Sequence, residues 1–278
     1  MGEQAAVPSE RPEPTVFLQT DWRWRDEIYD YNYGDPGESV EKAGCGLLAL
    51  TNAIYYLNGV FVEPMFIANF AVWNGFHIAE GTTLDMYKAF PGVFGEKYGV
   101  RYAGMVEGYE ELAANLRQGC VAICSIPGHI MAIVDYDEDS KQFLILDSRP
   151  HQKRGTEAGY AWLSQEQLEQ LPSLTTNDIG LSTQFTLLAA LGTLQIISTA
   201  DGETSADCGT FDVWIGAEKV ADDQSSFTGS FPMGTFYTID DVQAKDGWSY
   251  DLAADIQGGR VDANTVCVPV YFSRDLPA

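Results

Sequence analysis

The stretch from Ala43 to Leu57 predicts an apolar α-helix, and one cysteine, Cys45, lies between two glycines at its start. The unpaired N–H groups and the positive end of the helix dipole favour a thiolate there, so the pKa of Cys45 is expected to be lowered. The flanking glycines allow a substrate carbonyl to approach closely. Cysteine is also a common core residue, so this run alone leaves two interpretations: a nucleophile or a small buried hydrophobe.

A nucleophilic cysteine needs an imidazole to carry the proton and a third group to orient that imidazole. His129 opens a β-prone run that follows a Pro-Gly break, and residues 142–147 form a second β-prone run beyond a polar turn. The two runs predict a hairpin. Asp147, at the end of the second strand, is then roughly level with His129, because the strands are antiparallel. The hairpin therefore predicts that Asp147 orients His129.

The chain has two other histidines, and both are weaker candidates for the imidazole. His77 follows Trp-Asn-Gly-Phe in a predicted loop without an obvious carboxylate partner. His151 stands among Arg149, Lys153 and Arg154, which favours a solvated loop. Neither is expected to be catalytic.

The order Cys, His, Asp, with Gly-Cys-Gly opening a helix and Gly-His opening a strand, resembles the C39-like branch of papain-fold cysteine peptidases. The segment from Gln19 to Trp24 is similar to the Gln-x-Asp-x-x-Trp element of that family. The resemblance implies that the Gln19 side chain and the Cys45 backbone N–H form an oxyanion hole. It covers residues 17–188. The chain departs from the family pattern at Leu47 and Leu48, where a proline or a small residue is frequent.

The resemblance implies an α+β fold for residues 16–190: a papain-like cysteine peptidase domain with a helical part packed on an antiparallel sheet. In residues 191–278, short β-prone runs alternate with turn signals, which predicts a small all-β, sandwich-like accessory domain. Residues 1–15 are expected to form a flexible N-terminal segment.

The chain carries 16 basic and 40 acidic side chains, a formal charge of −24. This charge argues against nucleic-acid phosphates and anionic membranes as partners. No run of about 18 apolar residues is present, so no membrane span is predicted. The first residues lack the layout of a signal peptide. An extracellular or cell-surface location is nevertheless expected, because length and composition agree with a secreted or surface enzyme, with the cytoplasm as the alternative.

Four cysteines remain besides Cys45. Cys120 and Cys124 lie in or beside one predicted strand and are expected to be core thiols, because two residues along one strand are poorly placed to bond each other. Cys208 and Cys267 are expected either to form a disulfide or to stay reduced. No Cys-x-x-Cys pair or His-rich tract is present, so no metal or cofactor is expected.

These observations predict a cysteine peptidase that hydrolyses a peptide or protein substrate through an acyl-enzyme on Cys45. His129 is expected to carry the proton, Asp147 to orient His129, and Gln19 to stabilise the oxyanion. One alternative is an acyl or peptidyl transferase that uses the same residues. The other is a non-catalytic surface binding protein on a papain-like scaffold.

Overall fold

The computed structural model describes residues 13–29, 37–78, 81–173, 180–200, 203–204, 208–250, 258–261 and 265–274. Most of the segment expected to be flexible, residues 1–12, lies outside these ranges. The helices are α1 (Val40–Ala43), α2 (Cys45–Asn58), α3 (Pro64–Trp73), α4 (Met86–Tyr98), α5 (Tyr109–Leu116), α6 (Gln165–Glu169) and a 3-10 helix (Gln152–Arg154). Within the described ranges, none of these helices has the length and apolar character needed to cross a membrane.

The strands form three sheets in the described part of the chain. They are β1 (His77–Ile78), β2 (Gly81–Thr82), β3 (Val100–Glu107), β4 (Cys120–Ile126), β5 (His129–Asp137), β6 (Gln142–Leu146), β7 (Tyr160–Ser164), β8 (Gln184–Ala200), β9 (Glu203–Thr204), β10 (Gly209–Ile215), β11 (Glu218–Gln224), β12 (Ser226–Pro232), β13 (Phe236–Ala244), β14 (Trp248–Tyr250), β15 (Gly258–Arg260) and β16 (Thr265–Arg274). β1 pairs with β2, and a second sheet has the order β11-β10-β13-β15. The large sheet has the order β14-β16-β8-β4-β5-β6-β7, with β3, β9 and β12 also paired to β8.

The expected fold class is wrong. Of the described residues, 45% are in strands and 25% in helices, and the strands belong to several sheets. The chain is therefore mostly β, not a helix-on-sheet α+β peptidase fold followed by a separate sandwich. The main reason is β8, a strand of 17 residues that takes part in the pairing of both halves of the large sheet.

β8 passes without interruption through residues 190–193, where the sequence predicts a domain boundary. Gly192 does not turn the chain there, because it is extended and pairs with Phe231 of β12. Before this point β8 pairs with β3 and β4, and beyond it with β12 and β16. The division between residues 190 and 191 stays a prediction.

The helix α2 packs against β4 and β5 and supplies much of the first hydrophobic core. Its interior is apolar except for Thr51 and Asn52, which are both buried. Asn52 forms two hydrogen bonds with the backbone of Phe17, accepting from the N–H at 2.7 Å and donating to the carbonyl at 3.1 Å. A buried amide needs such partners. The pairing fixes the N-terminal segment, and with it Gln19, against α2.

Gly46, the second residue of α2, lies in close contact with its neighbours. A Cβ atom at this position would stand 2.7 Å from the Tyr87 hydroxyl and 2.8 Å from the Thr82 side chain. Gly46→Ala is therefore expected to destabilise the protein by about 1–3 kcal/mol, as measured by urea unfolding. Gly92→Ala is the control, because a Cβ on Gly92 in α4 meets nothing within 4 Å. It is expected to stabilise the protein by up to about 1 kcal/mol, and equal effects at the two positions would contradict the packing argument.

Within the described residues, none of the five cysteines forms a disulfide. Cys120 and Cys124 are buried in β4, and Cys208 is buried in the core cluster formed by residues 194–272. Cys267 is exposed on β16, where its thiol contacts the Gln195 side chain at 3.3 Å. The structure therefore has Cys208 and Cys267 in the unbridged form.

Candidate functional site

Cys45 is the first residue of α2 and is partly buried. Burial raises the pKa of its thiol, but a hydrogen bond and the positive charge of His129 lower it by more. The backbone N–H groups of Ile130 and Gly46 also lower the pKa of the thiol. The net result is a lowered pKa, which favours the thiolate that a nucleophile requires.

His129 is the first residue of β5 and is 7% exposed. Its Nε2 atom lies 2.7 Å from Oδ1 of Asp147, which leaves Nδ1 as the nitrogen for Cys45. Burial lowers the pKa of the imidazole, but its bonds to Asp147 and Cys45 outweigh that effect and raise it. A raised histidine pKa next to a lowered thiol pKa favours the thiolate–imidazolium pair.

The β5–β6 hairpin brings Asp147 to His129, as the sequence predicts. The last pair of this ladder joins Ala132 to Leu146, so Asp147 follows directly after the pairing ends. The side chains of Asp147 and His129 then meet beyond that last pair, at the edge of the ladder where Cys45 also lies. The structure thus brings together three of the four predicted site residues.

The Asp147 carboxylate is fully buried and accepts four hydrogen bonds. Oδ1 accepts from His129 and from the Arg149 backbone N–H at 2.9 Å, and Oδ2 accepts from Arg154 Nε at 2.9 Å and Thr156 Oγ1 at 2.7 Å. Burial raises the pKa of the carboxyl, but these donors and the charges of His129 and Arg154 lower it below its usual range. Asp147 is therefore an ionised carboxylate fixed in one orientation.

Gln19, the fourth predicted site residue, is fully buried beside the same loop. Its Nε2 group donates to the backbone carbonyls of Val40 at 3.1 Å and Glu41 at 3.2 Å, and its Oε1 accepts from the Ser148 hydroxyl at 3.1 Å. The amide thus joins α1 to the residue that follows Asp147. An oxyanion role requires one of these N–H groups to turn toward the substrate, so this role stays a prediction.

Sequence reasoning missed Arg154 and Thr156. The neighbouring charges at Arg149 and Lys153 favour a solvated loop, yet Arg154 is 3% exposed and Thr156 is fully buried. The available signal was a basic residue and a hydroxyl residue within ten positions of a strand-end aspartate. A buried carboxylate needs a cation and donors from the chain nearby.

The two remaining histidines have structural roles. His151 precedes the 3-10 helix and caps it by accepting a hydrogen bond from the Lys153 N–H at its Nδ1 atom. His77 lies in β1, and its ring packs on Tyr29 with a centroid distance of 4.2 Å. Neither residue belongs to the group formed by Cys45, His129 and Asp147.

Two cavities of moderate size lie elsewhere in the described structure. One, of about 430 Å³, is lined by Glu13, Pro14, Tyr56, Asp135, Asp137, Leu144 and Trp162. The other, of about 560 Å³, lies between α4, β3 and Leu191 of β8. The linings of both cavities lack Cys45, His129 and Asp147, so they do not define where a substrate would bind at these residues.

No protein-family model and no curated protein matches the sequence. Among solved structures, the chain is similar to the Bacillus anthracis TIE protein, with 10% identity and a TM-score of 0.25. That match covers 63% of this chain and 34% of the TIE protein, so the chain spans about a third of it. It is also similar to GBS52, the minor pilin of Streptococcus agalactiae, with 10% identity, a TM-score of 0.24, and coverage of 65% of this chain and 84% of GBS52. Likenesses of this size carry no functional information, so the function of this chain is inferred from its own side chains.

Proposed function

We propose that this protein is a cysteine hydrolase of amide bonds, acting on a peptide or protein substrate through Cys45. The observation that supports the proposal is the row of Cys45, His129 and fully buried Asp147, in which each side chain contacts the next. Membership of the C39-like peptidases and an extracellular or cell-surface location are parts of the same proposal. The family membership comes from the resemblance of the sequence, and the location comes from the length and composition of the chain.

The chemistry follows from the protonation of the pair. The Cys45 thiolate attacks the amide carbonyl carbon, and the carbonyl π electrons move to the oxygen. The His129 imidazolium then gives its proton to the leaving amine as the C–N bond breaks, which leaves an acyl-enzyme thioester. Water, deprotonated by His129, attacks the thioester, and the Cys45 thiolate leaves with the bonding electrons. Asp147 keeps the Nε2–H of His129 directed toward itself throughout, so Nδ1 exchanges the proton with the reacting groups.

The direct test is cleavage of a peptide library, followed by mass spectrometry of the new termini. The wild-type protein is expected to produce new termini, and Cys45→Ala is expected to produce none. Addition of a competing amine separates hydrolysis from transfer, because a transferase incorporates the amine into the product. Equal products from the wild type and Cys45→Ala would contradict the proposal, as would an unreactive Cys45 thiol in a protein that cleaves nothing.

Gln19 provides a prediction about the oxyanion. Gln19→Ala is expected to lower turnover on the library substrate by about 10²–10³-fold, the usual cost of one oxyanion donor. Ser148→Ala is the matched control, because it removes the hydroxyl that donates to Gln19 Oε1 and leaves the amide N–H groups in place. Turnover of Ser148→Ala is expected to stay within about 10-fold of the wild type. Equal losses in the two variants would show that Gln19 acts only by holding the loop.

A further inference from the structure

Arg154 is a buried cation, and its hydrogen-bond partners Asp147 and Arg149 lie in the loop from 147 to 159. Its side chain is 0% exposed, its Nε donates to Asp147 Oδ2 at 2.9 Å, and its Nη2 donates to the Arg149 carbonyl. The Arg149 N–H in turn donates to Asp147 Oδ1 at 2.9 Å. Arg154 and the backbone of Arg149 therefore hold the carboxylate from both of its oxygens.

The loop from 147 to 159 is folded to deliver these donors. After the 3-10 helix, Gly155 adopts a left-handed conformation with φ +69°, and this turn brings Thr156 back to the carboxylate. Thr156 Oγ1 accepts from the His151 N–H at 3.1 Å and donates to Asp147 Oδ2. The loop closes where the Asp147 N–H donates to the Gly159 carbonyl at 2.7 Å. The thirteen residues from 147 to 159 thus close around one buried charge pair.

The stability of the loop does not account for Arg154. Buried ion pairs are often no more stable than well-packed apolar residues of similar volume, because two charges lose their hydration. In this pair the cost is higher still, because Arg154 Nη1 is buried and has no hydrogen-bond partner among the described residues. A buried guanidinium that carries this desolvation cost is expected to contribute through its charge.

The Arg154 charge lies beside Asp147, and Asp147 hydrogen-bonds His129 of the proposed Cys45–His129 pair. Ionisable groups face this centre from several elements: Cys45 from α2, Cys124 from β4, His129 from β5, and Tyr87 from α4, which faces Cys45. Only His129 among them becomes a cation, and it hydrogen-bonds Asp147. Asp147 Oδ1 lies 2.7 Å from His129 Nε2. Without a compensating cation, the carboxylate would raise the pKa of the imidazole further and would repel the Cys45 thiolate.

We propose that Arg154 is a positioning residue for the Cys45–His129 pair: its guanidinium compensates the buried charge of Asp147 and fixes the carboxylate with Oδ1 toward His129. The pH range in which Cys45 is a thiolate then depends on Arg154, although Arg154 contacts neither Cys45 nor the substrate carbonyl. This inference rests on the proposed function and concerns the regulation of the same site.

The test compares Arg154→Gln, which removes the charge, with Arg154→Lys, which keeps it. The rate of Cys45 alkylation by iodoacetamide is mapped by mass spectrometry between pH 4 and 9, and the His129 ring is titrated by NMR. In Arg154→Gln both midpoints are expected to move up by about one pH unit, because the carboxylate charge is no longer compensated. In Arg154→Lys they are expected to stay within about 0.3 unit. Thr156→Val, which removes a neutral donor from the same oxygen, is likewise expected to stay within about 0.3 unit.

A folded Arg154→Gln protein with unshifted midpoints overturns the proposal, and so does an equal shift in Arg154→Lys. If Arg154→Gln does not fold, Asp147→Asn and the double variant Asp147→Asn/Arg154→Gln are compared instead. The alkylation midpoint of the double variant is expected to lie about one unit above that of Asp147→Asn, because the guanidinium charge that favours the thiolate is removed, and equal midpoints overturn the proposal. If Cys45 of the wild type is alkylated no faster than the exposed Cys267 at pH 6, the proposed function is overturned instead.

Discussion

His129→Ala is expected to slow the alkylation of Cys45 by iodoacetamide at pH 6 by about 100-fold. A free thiol with a pKa of about 8.5 is only about 0.3% thiolate at that pH, whereas a thiol paired with an imidazolium is largely ionised. Burial raises the pKa of Cys45, and the bond and charge of His129 are what lower it. Without His129, the burial effect is opposed only by the backbone N–H groups of Ile130 and Gly46.

The variant is expected to fold, because the Asp147 charge keeps its other partners. Arg154, Thr156 and the Arg149 N–H still donate to the carboxylate when the imidazole is absent. The exposed Cys267 thiol is the internal reference, since its labelling reports the reagent and the pH in the same sample. In 6 M urea, Cys45 of the variant and of the wild type are expected to react at the same rate. An unchanged rate in native His129→Ala would show that the helix start alone activates the thiol.

The parts of the site that sequence reasoning placed are those fixed by local geometry. Cys45 at a helix start follows from the Gly-Cys-Gly run and the apolar residues after it. The meeting of His129 with Asp147 follows from a hairpin whose strands β5 and β6 are joined by the short turn 138–141, and in a hairpin the turn sets the register. Local periodicity decides such features, so no knowledge of the remaining chain was needed. The catalytic roles of these residues stay a proposal.

The fold class, which was wrong, depends on distant pairing. β8 continues through Gly192 because it pairs with β12 over residues 191–197 and with β16 over residues 193–200. Both partner strands come from residues after 225. A glycine in a short β-prone run gives no sign of these partners, so the mostly β fold does not follow from the local sequence. Arg154 was missed for a different reason, because it lies close to Asp147 in sequence: charges in a loop are usually solvated, and only the closed loop reveals the buried carboxylate that binds it.

Asp147→Asn is expected to lower the free energy of unfolding by about 3–5 kcal/mol at pH 7, because it leaves the buried Arg154 without its counter-ion. Burial raises the pKa of Asp147, but His129, Arg154 and Thr156 lower it by more, to below 3.8. A lowered carboxyl pKa stabilises the folded state above the unfolded-state value and loses that effect as the pH falls through the folded-state value. The difference between wild type and variant, measured by urea unfolding, is therefore expected to shrink below about pH 3.8.

Two further variants identify the cause of this loss. Glu138→Gln removes a carboxylate that also bonds two cations, Arg117 and Lys141, but on the exposed surface, and it is expected to change stability little. The double variant Asp147→Asn/Arg154→Gln removes both buried charges and is expected to recover at least about 1 kcal/mol relative to Asp147→Asn, because no ion is then left unpaired. If the double variant is instead less stable than Asp147→Asn, the guanidinium stabilises the loop without the carboxylate. The unpaired guanidinium would then not be the cause of the loss of stability in Asp147→Asn.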